Sequence, residues 1–392
     1  MVKMEKSLKQ NVVIIGGGTG GTVVANLLSK KIGKIANITV LSGKENVFYE
    51  PDNLFRLFDT KDMSSQYKSV RKVISKKATV TIEQVTKIDP DKQIVMTESG
   101  MNYSYDYLVI AAGAIYDFSE ERLPGYAKAA YNFHDGKSVL KLREALQNFQ
   151  GGDLVMSIAD LPYKCPVSPL EFVFMSRDYF KRRKMLDKVK IHLTSPLPRA
   201  FSIQNVSDKV QAKFDKMGIE VHTFFNTESI DPERKIVESL EGEELPYDLL
   251  VMTPPHSGPK FLKDSGIAND ESWLPVNKET LVHDKYPNIW GLGDCTNLPI
   301  SKAGAAAHHQ GKIVASNIAN LVKQKEANKK YGGNVQCFVM TGLRSSIFLD
   351  FNYSRPPRGL FMKELFLVPR FWYVSKLLFK PMYFKLVLKG RV

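Results

Sequence analysis

The stretch NVVIIGGGTGGTVVANLL, residues 11–28, combines a buried strand, a glycine-rich turn and an apolar helix in that order. The continuous apolar run 12–15 is typical of a parallel strand that is buried on both faces. Gly16, Gly18 and Gly21 follow with the GxGxxG spacing, which allows a tight turn, close approach of backbone to a pyrophosphate, and close packing of helix on strand. The stretch predicts the phosphate-binding turn of a dinucleotide-binding fold.

Length and charge limit what the rest of the chain can be. The 392 residues, 43% hydrophobic and 24% charged, suffice for two or three globular domains. Of the net charge of +14, more than half lies in residues 355–391, which hold nine Lys or Arg against Glu364. This skew indicates an anionic partner surface, either nucleic acid or lipid headgroups. The first ten residues lack the apolar stretch of a secretory signal, and no run of eighteen apolar residues predicts a spanning helix.

Later segments return to the same cofactor site. A strand at 38–41 ends on Ser42, where such folds usually place an acidic residue on the ribose; serine bonds more weakly, and Glu45 could compensate. The buried run YLVIAAGA, residues 107–114, ends on small residues that let backbone lie against a ligand. The predicted cofactor-binding residues are Gly16, Gly18, Gly20, Gly21, Ser42, Lys44, Val85, Ala112, Gly113, Gly293, Asp294 and Lys302.

The segment around Asp294 predicts how the flavin end of the cofactor is held. A strand at 288–291 leads into Gly293 and Asp294, and a helix begins near Lys302. The carboxylate can accept a bond from a ribityl hydroxyl, while the helix N-terminus and the lysine would stabilise negative charge on a reduced flavin. The chain therefore returns to complete the first cofactor site after an inserted second domain.

The second domain begins like a dinucleotide fold but lacks its phosphate loop. Its strand 154–158 runs into ADLPYKCPVSPLE, residues 159–171, which has no GxGxxG and contains three prolines without N–H donors. A cysteine, Cys165, stands where a nicotinamide site would be. We predict an α/β protein with two Rossmann-like domains, the first discontinuous, and a C-terminal amphipathic, membrane-associating segment. The predicted boundaries are 1–125, 126–285, 286–335 and 336–392.

The remaining candidate side chains are interpreted as structural residues. Cys295 follows the cofactor aspartate and is interpreted as a packed core residue. His256, after two prolines, is interpreted as a polar loop residue rather than a proton donor. His308 and His309 have no companion ligands at metal spacing, so no metal site is predicted.

Together these motifs resemble the sulfide:quinone oxidoreductase family, whose superfamily includes glutathione reductase and type II NADH dehydrogenase. The similarity runs from about residue 11 to the C-terminal tail. GGGTGG (16–21) and GLGDCTNLPISKAGAAA (291–307) are typical of the superfamily, whereas YKCPVSPLE (163–171) and YGGNVQCFVMTG (331–342) are typical of the sulfide enzymes.

The resemblance implies FAD, hydrogen sulfide and a membrane quinone as cofactor and substrates. It implies a Cys165–Cys337 disulfide beside the flavin: hydrosulfide attacks one sulfur to leave a persulfide, and the other departs as a thiolate. By position, Cys165 would face the flavin and Cys337 would carry the persulfide. Glu171 matches an acidic residue that moves protons in some members, although a glutamate in a first helical turn also compensates the helix dipole.

Three other functions stay open. A type II NADH:quinone dehydrogenase has the same fold but needs the second GxGxxG. A sulfide dehydrogenase that reduces a cytochrome subunit normally carries an export signal. A redox-linked nucleic-acid-binding protein would use the +14 charge; we predict no nucleic-acid partner, because aromatic residues alternate with the basic residues of the tail as at a lipid interface.

The tail is interpreted as a monotopic anchor on anionic lipid, at the cytoplasmic face of the cell membrane. Apolar positions 371, 374, 377 and 378 share one face of a short helix, with Lys376 and Lys380 on another. Pro381 is expected to break the helix before a second short piece at 382–388. The alternative is a helical hairpin packed on the body or in a dimer interface, and homo-oligomerisation is left open.

Overall fold

The computed structural model describes residues 9–58, 64–358 and 369–392. The α-helices are Thr19–Lys31 (α1), Asn53–Leu57 (α2), Val70–Val73 (α3), Tyr126–Ala129 (α4), Gly136–Asn148 (α5), Ser168–Arg182 (α6), Gln204–Met217 (α7), Lys260–Asp264 (α8), Gly304–Val322 (α9) and Pro369–Met382 (α10).

The strands alternate with these helices through the first three hundred residues. They are Gln10–Ile15 (β1), Ala36–Ser42 (β2), Asn46–Phe48 (β3), Tyr67–Ser69 (β4), Thr79–Ile82 (β5), Val85–Asp89 (β6), Ile94–Thr97 (β7), Asn102–Ser104 (β8), Tyr107–Ile110 (β9), Ile115–Tyr116 (β10), Ala130–Tyr131 (β11), Gly152–Ile158 (β12), Val189–Ser195 (β13), Ile219–Thr223 (β14), Thr227–Asp231 (β15), Ile236–Ser239 (β16), Glu244–Pro246 (β17), Leu249–Thr253 (β18), His256–Ser257 (β19), Ile289–Gly291 (β20), Val335–Gly342 (β21), Ser345–Asn352 (β22) and Arg355–Arg358 (β23).

The first sheet is parallel and has the order β20-β9-β1-β2-β5. The apolar residues of β1 are almost fully buried, as a strand covered on both faces requires. The late strand β20 pairs with β9, so the chain returns to this sheet near residue 289. The helices α1 and α9 pack together on the sheet.

The second sheet is also parallel and has the order β11-β18-β12-β13-β14. Its helix α5 is capped by Asp135, whose carboxylate accepts hydrogen bonds from the backbone N–H groups of Lys137 and Ser138. The two parallel sheets with their helices confirm the predicted α/β class with Rossmann-type sheets.

The packing of residues 261–281 bears on the domain boundaries. Phe261, Leu262 and Leu281 are buried in the core of the first sheet, together with Val109 and Trp290. This packing favours a return of the chain to the first Rossmann-like domain near residue 255, earlier than the predicted boundary at 285. The boundaries themselves stay a proposal.

The C-terminal part packs on the body of the protein. An antiparallel sheet, β21-β22-β23, carries α10 against β22. The predicted break at Pro381 is wrong, because α10 includes this proline and passes directly into a π-helical turn at Tyr383–Val387. Pro381 removes one N–H donor from the last turn of α10, and the helical backbone nevertheless continues past it into the π-helical turn. No helix in the described ranges is long and apolar enough to cross a bilayer.

Candidate active site

The glycine-rich turn lies at the carboxyl edge of the first sheet. Gly16 has φ +109°, and a Cβ built on it would lie 2.3 Å from the carbonyl oxygen of Ala111. A Cβ on Gly21 would lie 1.9 Å from the carbonyl oxygen of Gly16. Only glycine permits these approaches, so the turn after β1 lies directly against the segment after β9. The structure thereby brings the predicted residues of two separate motifs together.

The same edge leaves room for a phosphate group. A Cβ on Gly18 or on Gly113 would meet no described atom within 4 Å, and Gly113 has φ +74°. Gly18 precedes α1, and no described side chain caps the N–H groups of the first turn of that helix. Free N–H groups at a helix N-terminus bind phosphate. The backbone at this edge therefore fits the pyrophosphate of a dinucleotide.

Ser42, the residue predicted at the ribose, lies close to this turn, and two further predicted cofactor-binding residues, Lys44 and Val85, follow it in sequence. Ser42 ends β2, and its hydroxyl would be 2.5 Å from a Cβ on Gly17. The Ser42 hydroxyl donates to the carbonyl oxygen of Lys44 at 2.7 Å, so it shapes the turn, while the Lys44 side chain is exposed. Val85 is buried in the first core at the start of β6. Ser42 thus lies beside the glycine-rich turn, where the ribose contact is predicted, and the assignment of Lys44 and Val85 to the cofactor stays a prediction.

At the other end, the loop after β20 lines a small cleft together with the first turns of α9. The Lys302 ammonium, which lines it, donates to the carbonyl oxygens of Asp294 and Thr296 at 2.9 and 2.7 Å and lies 3.6 Å from the ring centroid of Trp273. Burial lowers the pKa of Lys302 to about 8, so the ammonium keeps its charge at neutral pH. Burial raises the pKa of Asp294, and the nearby Lys164 opposes that rise. Lys164 is itself paired with Glu50 at 2.7 Å. The two carboxylates and two cations at this edge fit the polar groups of a flavin dinucleotide.

Cys165 is attached to the same loop. The loop after β12 places Cys165 in the left-handed region, at φ +54°, and its backbone N–H donates to the carbonyl oxygen of Lys302 at 2.7 Å. Its own carbonyl accepts the N–H of Ser168, the first residue of α6, at 2.8 Å. The cysteine is therefore fixed between the cofactor loop and the start of α6.

Cys337 reaches the same place from the C-terminal sheet. It lies in β21 opposite Leu349 of β22, and both cysteines are partly buried free thiols at the margin of one hydrophobic core. The charges of Glu171 and Lys376 act on both thiols, and Cys337 also acts on Cys165, so the two thiols lie in one electrostatic environment. The structure thus brings together the two cysteines that are 172 positions apart in sequence.

Glu171 accounts for part of the electrostatics of this cysteine pair. Its side chain is 3% exposed, and its Oε1 accepts the backbone N–H of Met340 at 2.7 Å and the ammonium of Lys376 at 2.5 Å. Burial raises the pKa of both thiols, to about 12 for Cys337; the Glu171 carboxylate raises it further and Lys376 lowers it. The lysine therefore favours thiolate formation at both sulfurs, and the Ser168 side chain also lowers the pKa of Cys165.

Lys376 is a residue of this cluster that sequence reasoning missed. It was placed on the lipid side, and that expectation is wrong for it and for Lys380, which pairs with Asp52 at 2.6 Å. Lys376 is 7% exposed. Helical spacing places Lys376 on the same face as Trp372 and Tyr383, which are both buried, but the acid that receives the lysine lies 205 positions away and is not marked by that spacing.

The residues interpreted as structural are each held by a hydrogen bond, and the bonds of His308 and His309 reach distant segments of the chain. Cys295 is fully buried, and its thiol donates to the carbonyl oxygen of Leu292 at 3.4 Å. His256 is buried rather than solvated, and burial lowers its pKa to about 4. His308 bonds the carbonyl oxygen of Val392, and His309 bonds the side chain of Gln336.

The outer face of α10 is apolar. Lys376 and Lys380 face the body, so the helix packs on the protein as the alternative interpretation expected. Among the described residues, little packs against the opposite face of the helix. Its exposed apolar side chains are Phe371, Val374, Leu377, Leu378 and Met382. The helix therefore joins the redox pair on one face to an exposed apolar patch on the other.

Comparisons with known proteins cover most of the chain. Residues 10–155 match the family of pyridine nucleotide-disulphide oxidoreductases. Residues 139–254 match the central part of the flavoprotein chain of flavocytochrome c sulfide dehydrogenase. The mitochondrial sulfide:quinone oxidoreductase of Mus musculus is 32% identical over 360 residues, which are 89% of this chain and 80% of that protein.

Solved structures share the fold. The sulfide:quinone oxidoreductase of Aquifex aeolicus superposes with a TM-score of 0.85 at 22% identity, over 97% of this chain and 92% of that one. NDH2 of Plasmodium falciparum, in complex with NADH, gives a TM-score of 0.69 at 14% identity, over 97% and 100% of the two chains. At these identities the likeness shows the fold alone.

Proposed function

This chain belongs to the sulfide:quinone oxidoreductase family, and on that premise we propose that it oxidises hydrogen sulfide at Cys165 and Cys337 and passes the electrons through FAD to a quinone. The observation that carries this proposal is the position of the two thiols. Cys165 is bonded through its backbone to the loop that lines the cofactor edge, and Cys337 shares the Glu171–Lys376 pair with it.

The reaction begins from a disulfide between the two cysteines. Hydrosulfide attacks the Cys337 sulfur; an S–S bond forms there, the bond to Cys165 breaks, and Cys165 leaves as a thiolate. Over a full turnover an external nucleophile takes the outer sulfur and the disulfide re-forms. The two electrons end on the quinone, which takes up two protons. FAD, when bound, would accept two electrons from sulfur and pass them to the quinone.

Lys376 and Glu171 assist this exchange in different ways. The ammonium is the charge that lowers the pKa of both thiols, so it stabilises the departing Cys165 thiolate and attracts the hydrosulfide anion. The carboxylate of Glu171, bonded to Lys376 and to Met340, lies beside both sulfurs and is positioned to take a proton from the incoming sulfide.

Replacement of each cysteine tests the assignment. Cys165→Ser and Cys337→Ser are each expected to retain bound FAD and to lose at least a hundredfold of sulfide-dependent quinone reduction, since exchange needs both sulfurs. The matched control is Cys295→Ser, a thiol bonded to Leu292 and away from the exchange, which is expected to keep its activity. Undiminished turnover in both of the first two variants would refute the proposal.

We also propose that the protein attaches to the cytoplasmic face of the membrane through α10. The exposed apolar face of this helix supports attachment, and exposed basic residues at 370 and 385 flank it. Because Lys376 and Lys380 are paired internally, attachment rests mainly on the apolar side chains. A quinone is lipid-soluble, so a site that opens beside this face receives it from the bilayer. Homo-oligomerisation stays a prediction.

A further inference from the structure

A cluster of potential metal ligands lies on the second sheet, away from the cysteine pair. His192 of β13 pairs in register with Glu220 of the edge strand β14, and His222 follows two residues later on the same face. The Nδ1 of His192 lies 3.3 Å from the Nε2 of His222 and 3.4 Å from Oε2 of Glu220. The three ligand atoms all lie within 4.8 Å of one another.

The outer nitrogen of each ring is held by a carboxylate. His192 Nε2 lies 3.0 Å from Oδ1 of Asp153, and His222 Nδ1 lies 2.7 Å from Oε1 of Glu243. An ionised carboxylate only accepts, so each ring directs its N–H outward. The two inner nitrogens then face each other with lone pairs, beside the oxygen of Glu220. Three electron-pair donors that converge in this way are arranged to bind a cation.

We propose that His192, Glu220 and His222 bind a zinc ion. Zn–N and Zn–O bonds of about 2.0–2.2 Å in a tetrahedron place ligand atoms about 3.3–3.6 Å apart, which agrees with the two measured separations. Two imidazoles favour zinc over calcium or magnesium, which prefer oxygen ligands. In known zinc sites a carboxylate usually accepts the second N–H of each histidine ligand and orients its ring. Asp153 and Glu243 are placed to do this for His192 and His222.

The site is open on one side. The side chain of His192 is 6% exposed, whereas that of Glu220 is 63% exposed. A fourth position is therefore available to water. The ion would link β13 to the edge strand β14 and, through Glu243, to the turn between β16 and β17. Such a link stabilises the edge of the second sheet.

The zinc site is separate from the redox pair. His192 and Asp153 alternate with residues such as Leu193 and Leu154, which point to the core that both cysteines border. The cluster thus occupies the opposite face of the sheet. The sequence did not predict it, because 28 positions separate His192 from Glu220 and only the strand register brings them together.

The binding of zinc alone to the metal-free flavoprotein tests the proposal. Competition against a chromophoric chelator is expected to give one zinc per chain, and cobalt is expected to give the visible spectrum of a four-coordinate site. Glu220→Gln and His222→Gln should each weaken zinc binding at least tenfold, and Asp153→Asn about 10–100-fold. Glu228→Gln, an exposed acid on the neighbouring strand β15, is the matched control and should bind like the parent.

Two further measurements separate this site from the thiols and from simple folding effects. The Cys165→Ser/Cys337→Ser variant should keep the zinc affinity, and its cobalt spectrum should lack thiolate charge-transfer absorption. Zinc should raise the thermal midpoint of the parent and not of His222→Gln. The proposal is overturned if no stoichiometric zinc binds, if Glu220→Gln and His222→Gln bind as the parent does, or if the double serine variant loses the site.

Discussion

Lys376 and Glu171 form a buried ion pair beside the two cysteines, and in the proposed mechanism this pair sets how readily the cysteines yield a thiolate. Glu171 could be predicted, because it follows Cys165 by six residues in a motif typical of the family. Lys376 could not be assigned from its neighbours in sequence, because its partner lies 205 positions away and only the packing of α10 joins them. Local pattern locates residues within an element, whereas long-range pairs depend on the fold.

Removal of the Lys376 charge should make both reduced thiols less reactive. In Lys376→Met the pKa of Cys165 and of Cys337 should rise, because the lysine lowers both and Glu171 is left unopposed. Alkylation at a fixed pH, followed by peptide mass spectrometry, should slow at least tenfold, since one pKa unit changes the thiolate fraction tenfold below the pKa. The alkylation profile should move to higher pH.

Two controls separate this charge effect from a loss of structure. Lys385→Met removes an exposed charge from the same tail and should leave alkylation unchanged. Glu171→Gln/Lys376→Met removes the unpaired buried carboxylate as well, so alkylation should recover in part. Equal rates in Lys376→Met and the parent would contradict the assigned role.

The helix α10 has two faces with different tasks. Its inner face carries Lys376 toward the redox pair, and its outer face is an apolar patch. The apolar spacing of the outer face could be read from sequence. The inner face was misjudged because lysines on an amphipathic helix usually face solvent or lipid, and the buried acids Glu171 and Asp52 that receive them lie elsewhere in the chain. A truncation before α10 would therefore damage the redox site as well as any membrane contact.

A single charge on the outer face should separate membrane contact from redox chemistry. Leu378→Glu should weaken binding to anionic liposomes about tenfold or more, because burial of a leucine side chain contributes about 1.5–3 kcal/mol. Activity with long-tailed quinone should fall while reduction of the flavin by sulfide is kept. Leu378 is 59% exposed in the structure, so the substitution is compatible with folding.

The matched control for the outer face is Leu240→Glu. Leu240 is 67% exposed and lies directly after β16, in the predicted second Rossmann-like domain. This variant should therefore bind liposomes as the parent does. Binding measured by vesicle co-sedimentation at physiological salt compares the two variants directly. Equal binding of Leu378→Glu, Leu240→Glu and the parent would show that α10 is not the contact.

Across the whole molecule, the two Rossmann-type sheets and the late return of the chain to the first sheet could be predicted from sequence. Buried apolar strands and the GxGxxG turn are local signals, and parallel strands bring their carboxyl ends to one edge by geometry. The packing of residues 261–281 in the first core could not be predicted, because short apolar segments there carry no periodic pattern. The proposed zinc ligands could not be predicted from sequence for the same reason as the Lys376–Glu171 pair, because both depend on contacts between elements that are distant in the chain.

An anaerobic titration of the FAD-loaded protein tests the central claim most directly. Flavin absorbance is followed as sulfide is added to one sample and NADH to another. Sulfide should bleach the parent flavin and leave the flavins of Cys165→Ser and Cys337→Ser oxidised, because electrons enter through the disulfide. NADH should leave the parent oxidised, because the loop after β12 has Cys165 and prolines in place of a phosphate-binding turn. Bleaching by NADH, or bleaching by sulfide that persists in both cysteine variants, would contradict the account.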